Sequence, residues 1–104
     1  MNAAVFCYSR TGIQTAKRVS LALPDAELAL YTLARLIEPG FSPIEKSVYA
    51  LEFSRRDALI FLGACGIAVR EIAPYVRDKK TDPAVLVVDE RARHVIPILS
   101  GHIG

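Results

Sequence analysis

The chain has 104 residues, of which 52% are hydrophobic and 23% charged, and its formal net charge is +2. That length fits one domain, and the composition is that of a globular protein rather than a disordered one. The charge is too slight and too scattered for a nucleic-acid surface, and the longest apolar run, residues 58–69, is broken by glycines and too short to span a bilayer.

Residues 1–10 hold no basic segment ahead of an apolar one, so no signal peptide is read there. Cys7 and Cys65 have no second cysteine or histidine at metal-ligand spacing, which points to two free thiols in a reducing cytosol. The expected location is therefore cytoplasmic. The apolar share is high for so short a chain, so some surface is expected to meet another domain or subunit.

The first predicted element is Ala3–Tyr8, a short continuous apolar run that reads as a strand buried on both faces. Ser9-Arg10-Thr11-Gly12 then turns the chain. It has too few glycines and no lysine for a nucleotide P-loop. Thr11 and Gln14 have capping-box spacing, which predicts a helix from about Gly12 to Pro24, with Ile13, Ala16, Ser20 and Leu23 facing inward. Glu27–Thr32 reads as the second strand. Residues 33–40 end in a Glu-Pro-Gly turn. Ser42-Pro43-Ile44-Glu45 is a capping box with proline at the first helical position, so a second helix is expected there with Ile44, Val48 and Leu51 buried.

Asp57–Leu62 is the expected central strand. It runs into Gly63-Ala64-Cys65-Gly66 and a helix in which Val69, Ile72, Ala73 and Val76 share the inner stripe. Pro74 cannot donate to the carbonyl of Arg70, so that helix should kink or end early. A polar loop, residues 78–83, leads to the strand Ala84–Asp89. Residues 90–93 look like a hairpin loop, and His94–Leu99 should return antiparallel as an edge strand, since it contains Pro97. A strand-to-glycine turn, Ser100-Gly101-His102-Ile103-Gly104, follows without a helix, and reads as a domain cut from a longer protein.

Alternating strands and helices joined by short turns predict a single open, mostly parallel α/β sheet of about five strands. The last strand would be antiparallel, the fold flavodoxin- or Rossmann-like, and the helices on both faces. Ligands of such sheets bind beyond the carboxyl ends of the strands. That edge is expected to collect residues 9–12, 63–66 and 100–104. Glycines such as Gly63 and Gly66 let a ligand approach the backbone, and a helix start there suits an anionic group.

The string GACGIAVREIAPYVRDKKTDPAVLVVDE, residues 63–90, followed by VIPILSGHIG, residues 95–104, resembles the N-terminal domain of the CbiG family. Before residue 63 the likeness is one of organisation only. Members of that family are cobalt-precorrin 5A hydrolases of anaerobic cobalamin (vitamin B12) biosynthesis. The resemblance implies hydrolysis of a δ-lactone on a cobalt-containing tetrapyrrole, with a two-carbon unit leaving as acetaldehyde. It implies no cofactor and no protein metal site, because the cobalt belongs to the substrate. It also implies a partner: the rest of such a protein, or a separate C-terminal chain. A homodimer is expected through the open sheet edge, and no nucleic acid or membrane is expected.

Each candidate residue has a functional reading and a plainer one. Arg70 suits a bidentate clamp on a substrate carboxylate, or is a helix arginine paired with Glu71 or Asp78. Lys79 and Lys80 suit acidic substrate arms, or simply solvate a loop that Asp78 and Asp82 cap. One of Asp78 and Asp82 could instead position a water. His102, beside Gly101, is a plausible general base, and Ser100 could donate to the lactone oxygen. The plainer reading makes that turn one of chain geometry. Cys65 as a nucleophile lacks a nearby histidine in sequence. The competing function is a small flavodoxin-like binding or assembly module for an anionic ligand, without catalysis of its own.

Overall fold

A computed structural model describes residues 1–63, 65–78 and 80–100, with the backbone alone for Ser100. The elements are β1 (Asn2–Cys7), α1 (Arg10–Ala22), β2 (Glu27–Thr32), β3 (Phe41–Pro43), α2 (Lys46–Arg55), β4 (Ala58–Leu62), α3 (Cys65–Ile72), β5 (Ala84–Val88) and β6 (Val95–Ser100). Two short 3₁₀ turns, Ala34–Leu36 and Ala73–Tyr75, precede β3 and follow α3. The strands form one sheet in the order β3-β2-β1-β4-β5-β6, with every neighbouring pair parallel except β5 and β6. The fold is thus the expected open, mostly parallel α/β sheet with an antiparallel last strand, and it has six strands.

The apolar runs of β1, β4 and β5 suit strands covered on both sides. Along β1 the side chains alternate: Ala4 and Phe6 pack with Tyr49 and Phe53 of α2 and with Ala68 and Ile72 of α3. Val5 and Cys7 pack with Ile13 and Ala16 of α1. So α1 lies on one face, and α2 and α3 on the other. This division follows from connectivity. The chain moves one way along the sheet from β1 to β2 and the opposite way from β3 to β4 and from β4 to β5. Crossovers of one hand must then use opposite faces. Phe6 centres the α2 side, its ring 4.9 Å from Phe61 and 5.0 Å from Tyr49.

Three local expectations give way to tertiary structure. Ser9, not Thr11, caps α1: its side chain accepts from the Gly12 N–H at 3.0 Å, and the helix begins two residues earlier than Gly12. Ser42 and Pro43 form no capping box. They lie in β3, paired with Tyr31 and Thr32, and α2 starts at Lys46 after Glu45, which makes no side-chain cap. A proline is tolerated there because β3 is an edge strand. With that shift the buried face of α2 becomes Tyr49, Glu52 and Phe53, while Leu51 is half-exposed. In α3 the inner residues are Ala68 and Ile72. Val69 and Val76 are exposed. The helix does end before Pro74, as the missing N–H requires.

Candidate functional site

Strands β1 to β5 all end at the same sheet edge, so β1 and β4, adjacent and parallel, finish side by side there. Their connections leave in opposite directions, β1 toward β2 and β4 toward β5, which opens a crevice between the two turns. Residues 9–12 stand at one lip and Gly63, Cys65 and Gly66 at the other. A Cβ added to Gly66 would meet nothing within 4 Å, so the space beside it is open. Arg70, further along α3, is exposed. Among the described residues its guanidinium forms no ion pair, neither with Glu71 nor with Asp78.

Gly63 has a different role from a ligand-facing glycine. Its φ is +82°, a conformation that favours glycine, and its N–H donates to the Val88 carbonyl at 2.7 Å. A Cβ at this position would lie closer than 3.0 Å to Cγ, Cδ and Oε1 of Glu90. Glu90 begins the β5–β6 hairpin turn, and its side chain lies over Gly63 at the crevice edge. The backbone there is anchored: buried Thr15 of α1 donates its hydroxyl to the Glu90 carbonyl and accepts from Arg18 Nη2 at 3.2 Å. Sequence reasoning missed Glu90. It sat in a segment read as a charged loop, and nothing local ties that loop to α1.

Sequence reasoning also missed a tyrosine pair. Tyr8, just past β1, and Tyr49 of α2 share a hydrogen bond of 2.6 Å between their hydroxyls. Burial is the main force pushing both phenols above their ordinary range, so both stay protonated at neutral pH.

The remaining described candidates lie at the opposite edge. In the antiparallel register Ser100 stands beside Ala84, while Val95 stands beside Val88. The end of β6 is therefore at the amino edge of the sheet, together with the loop that enters β5. The expectation that residues 100–104 join the carboxyl edge is corrected at Ser100. A hairpin reverses the chain, and an antiparallel last strand must finish where the parallel strands begin. Asp82 is buried and accepts from the N–H groups of Arg77 at 2.8 Å and Asp78 at 3.1 Å, so it caps the loop. Lys80 is exposed, and its N–H donates to Asp78 Oδ1 at 2.8 Å. An open groove of about 430 Å³ lies alongside, lined by Phe53, Ser54, Tyr75, Arg77, Thr81 and Asp82. Lys79, Gly101 and His102 lie outside the described residues.

Cys7 is buried and its thiol is pushed up to about 12 by loss of hydration. Cys65 is exposed at the start of α3. Among the described residues no group of three or more His, Cys, Asp or Glu could hold a metal ion, and no helix is long and apolar enough to cross a membrane.

Comparison with known proteins agrees with this architecture. A family model described as Cobalamin synthesis G N-terminal matches residues 47–104. The cobalt-precorrin-5A hydrolase of Salmonella typhimurium is 47% identical over 104 residues, a match that covers 97% of this chain and 29% of that protein. A protein of the same name from Priestia megaterium is 52% identical over 52 residues, 50% of this chain and 14% of its own length. A crystal structure of a cobalamin biosynthesis protein G homolog from Sulfolobus solfataricus superposes with a TM-score of 0.72 at 20% identity, over 96% of this chain and 29% of that one. That last likeness establishes the fold alone. The chain thus spans less than a third of the length of these relatives. With more than half of its residues matched by the family model, the chain belongs to the Cobalamin synthesis G N-terminal family.

Proposed function

We propose that the chain is the N-terminal part of a hydrolase that opens the δ-lactone of cobalt-precorrin 5A, releasing acetaldehyde and leaving cobalt-precorrin 5B, in cobalamin biosynthesis. The observation that carries this reading is the 47% identity to a cobalt-precorrin-5A hydrolase across 97% of the chain. Cobalt enters as part of the substrate. The carboxyl edge is the substrate-facing one: it holds the β1–β4 crevice and the open space beside Gly66, and the exposed Arg70 of α3, without an ion pair among the described residues, suits a carboxylate arm of the tetrapyrrole. The rest of such a protein closes the crevice from above. It also covers the β6 edge, where Val95 and Ile96 are half-exposed. The exposed thiol of Cys65 suits a reducing, cytoplasmic setting.

The test replaces the matching segment of the Salmonella typhimurium hydrolase with this chain and follows acetaldehyde release from cobalt-precorrin 5A. Release at a rate within about tenfold of the parent enzyme supports the reading. A folded hybrid that binds the substrate and releases none would favour an assembly module without a catalytic part.

A further inference from the structure

We propose that Glu90 is the general base of the lactone-opening step, a role that rests on the hydrolase reading above. Three observations converge on this residue. First, its side chain is placed: Gly63, at φ +82° and with no Cβ, provides the space over which Glu90 Cγ, Cδ and Oε1 lie. Second, its backbone is tied to α1 by the Thr15 hydroxyl, which is buried and itself held by Arg18. Third, its carboxylate has no partner among the described residues. Among the described residues it makes no hydrogen bond and no ion pair, whereas its neighbour Asp89 accepts from the Arg91 N–H at 2.8 Å and lies 3.5 Å from Arg93 Nε.

A carboxylate held in position by its surroundings, with no partner among the described residues, gains nothing for the fold from its charge. Ordinary surface glutamates are free in both respects, and structural ones are paired. Glu90 is also only partly buried, so a water and a substrate can reach it from the carboxyl edge. It stands beside the turn that leads into α3, the helix carrying Arg70.

The step balances on water alone. A Glu90 carboxylate oxygen takes one proton from a water as its oxygen bonds to the lactone carbonyl carbon. The carbonyl π electrons move onto oxygen and return as the ring C–O bond breaks. The leaving alkoxide takes the proton back from Glu90 and becomes a hydroxyl, and the acyl side ends as a carboxylic acid. Glu90 is regenerated, and no oxidant or further reactant is consumed. Ser100, which the sequence suggests as a donor to the lactone oxygen, stands at the amino edge, away from Glu90.

The experiment uses the hybrid hydrolase carrying this chain, with Glu90→Gln and Glu90→Asp. Glutamine keeps the shape over Gly63 and removes the basicity. The expected result is a fall in kcat of about a hundredfold or more for Glu90→Gln, with KM changed by less than about threefold. The acidic limb of the kcat–pH profile should disappear, the melting temperature should hold, and Glu90→Asp should recover part of the rate. Glu90→Gln within about threefold of the unsubstituted hybrid overturns the assignment. So does a slowed variant that keeps its acidic limb, or one whose loss follows from unfolding. If the unsubstituted hybrid itself releases no acetaldehyde, the hydrolase reading fails first and the base assignment with it.

Discussion

Ser100 pairs with Ala84 across the antiparallel β5–β6 ladder, at the amino edge of the sheet, while Gly63 closes β4 at the carboxyl edge. With β5 running five residues between the two, these edges are about 13 Å apart along the strand. One small polar group cannot touch both. Arg70 and Lys80, which the sequence suggests as partners on a single substrate, sit on different elements. Arg70 belongs to α3, the helix that starts at the carboxyl-edge turn, and Lys80 to the amino-edge loop. In a visible-absorbance titration with a cobalt corrinoid acid, Arg70→Ala should weaken binding about tenfold, the worth of one charge-assisted contact, and Lys80→Ala less than about twofold. The reverse order would place the substrate on the amino edge.

Gly63→Ala should destabilise the domain through two separate terms. An alanine at φ +82° costs roughly 1–2 kcal/mol of backbone strain, and its Cβ also collides with Glu90. Adding Glu90→Ala should relieve only the collision. The double variant is thus expected to be more stable than Gly63→Ala alone, yet below Glu90→Ala alone. Urea unfolding of all four proteins measures this, and simple additivity would remove the contact.

Glu52 is fully buried in α2, with Tyr31 OH at 3.0 Å, Arg56 Nε at 3.0 Å and Arg55 Nε at 2.6 Å around its carboxylate. Arg56 is itself almost covered, and it also bonds Asn2. Removing the carboxylate leaves that largely covered guanidinium only Asn2 and, at 3.8 Å, the exposed carboxylate of Glu27. Glu52→Gln should cost about 3 kcal/mol, and Tyr31→Phe, which removes one neutral donor, about 1 kcal/mol. Equal losses would mean that Arg56 finds another partner.

Ala92 is the one non-glycine residue with positive φ, +61°, among the described residues. It closes the β5–β6 hairpin, where its N–H donates to the Asp89 carbonyl at 2.7 Å. Glycine takes that conformation without a Cβ penalty. Ala92→Gly should therefore raise the stability by up to about 1 kcal/mol, after its own entropy cost in the unfolded chain. A lowered urea midpoint would contradict the strain at this turn.

Burial raises the Cys7 thiol from its ordinary 9.0 to about 12. The folded state therefore holds the proton that the unfolded chain gives up. Stability is at its full value below the unfolded thiol's pKa and falls as pH rises from 9 toward 12, by up to about 1.4 kcal/mol per unit. Urea midpoints across that window should fall less steeply for Cys7→Ala than for the wild type. The remaining slope belongs to Tyr8, Tyr31 and Tyr49, all raised chiefly by burial. In the native protein a thiol reagent should label Cys65 quickly and Cys7 only on unfolding.

Much of this architecture was legible in the chain itself. Apolar runs are local signals, so β1, β4 and β5 could be read within a residue or two, and β2 at its observed bounds. Pro74 marked the end of α3 because a missing N–H acts wherever the proline sits. The GACGIAVR and SGHIG strings carried the family resemblance that the family match bears out.

Features that depend on distant partners were not legible. Ser42 and Pro43 have the pattern of a helix start, yet β2 recruits them as an edge strand because its free ladder groups offer more than an isolated cap. The inner faces of α2 and α3 rotated away from Leu51, Val69 and Val76, since the sheet decides which stripe is covered. Glu90 gained its position from Thr15 and Gly63, 75 and 27 residues earlier in the chain. The sequence by itself determined which segments extend, coil and turn, because those choices rest on backbone sterics and on neighbours a few residues away. Only the tertiary structure decided strand order, register and edge, because these depend on which distant ladder groups and apolar faces find one another.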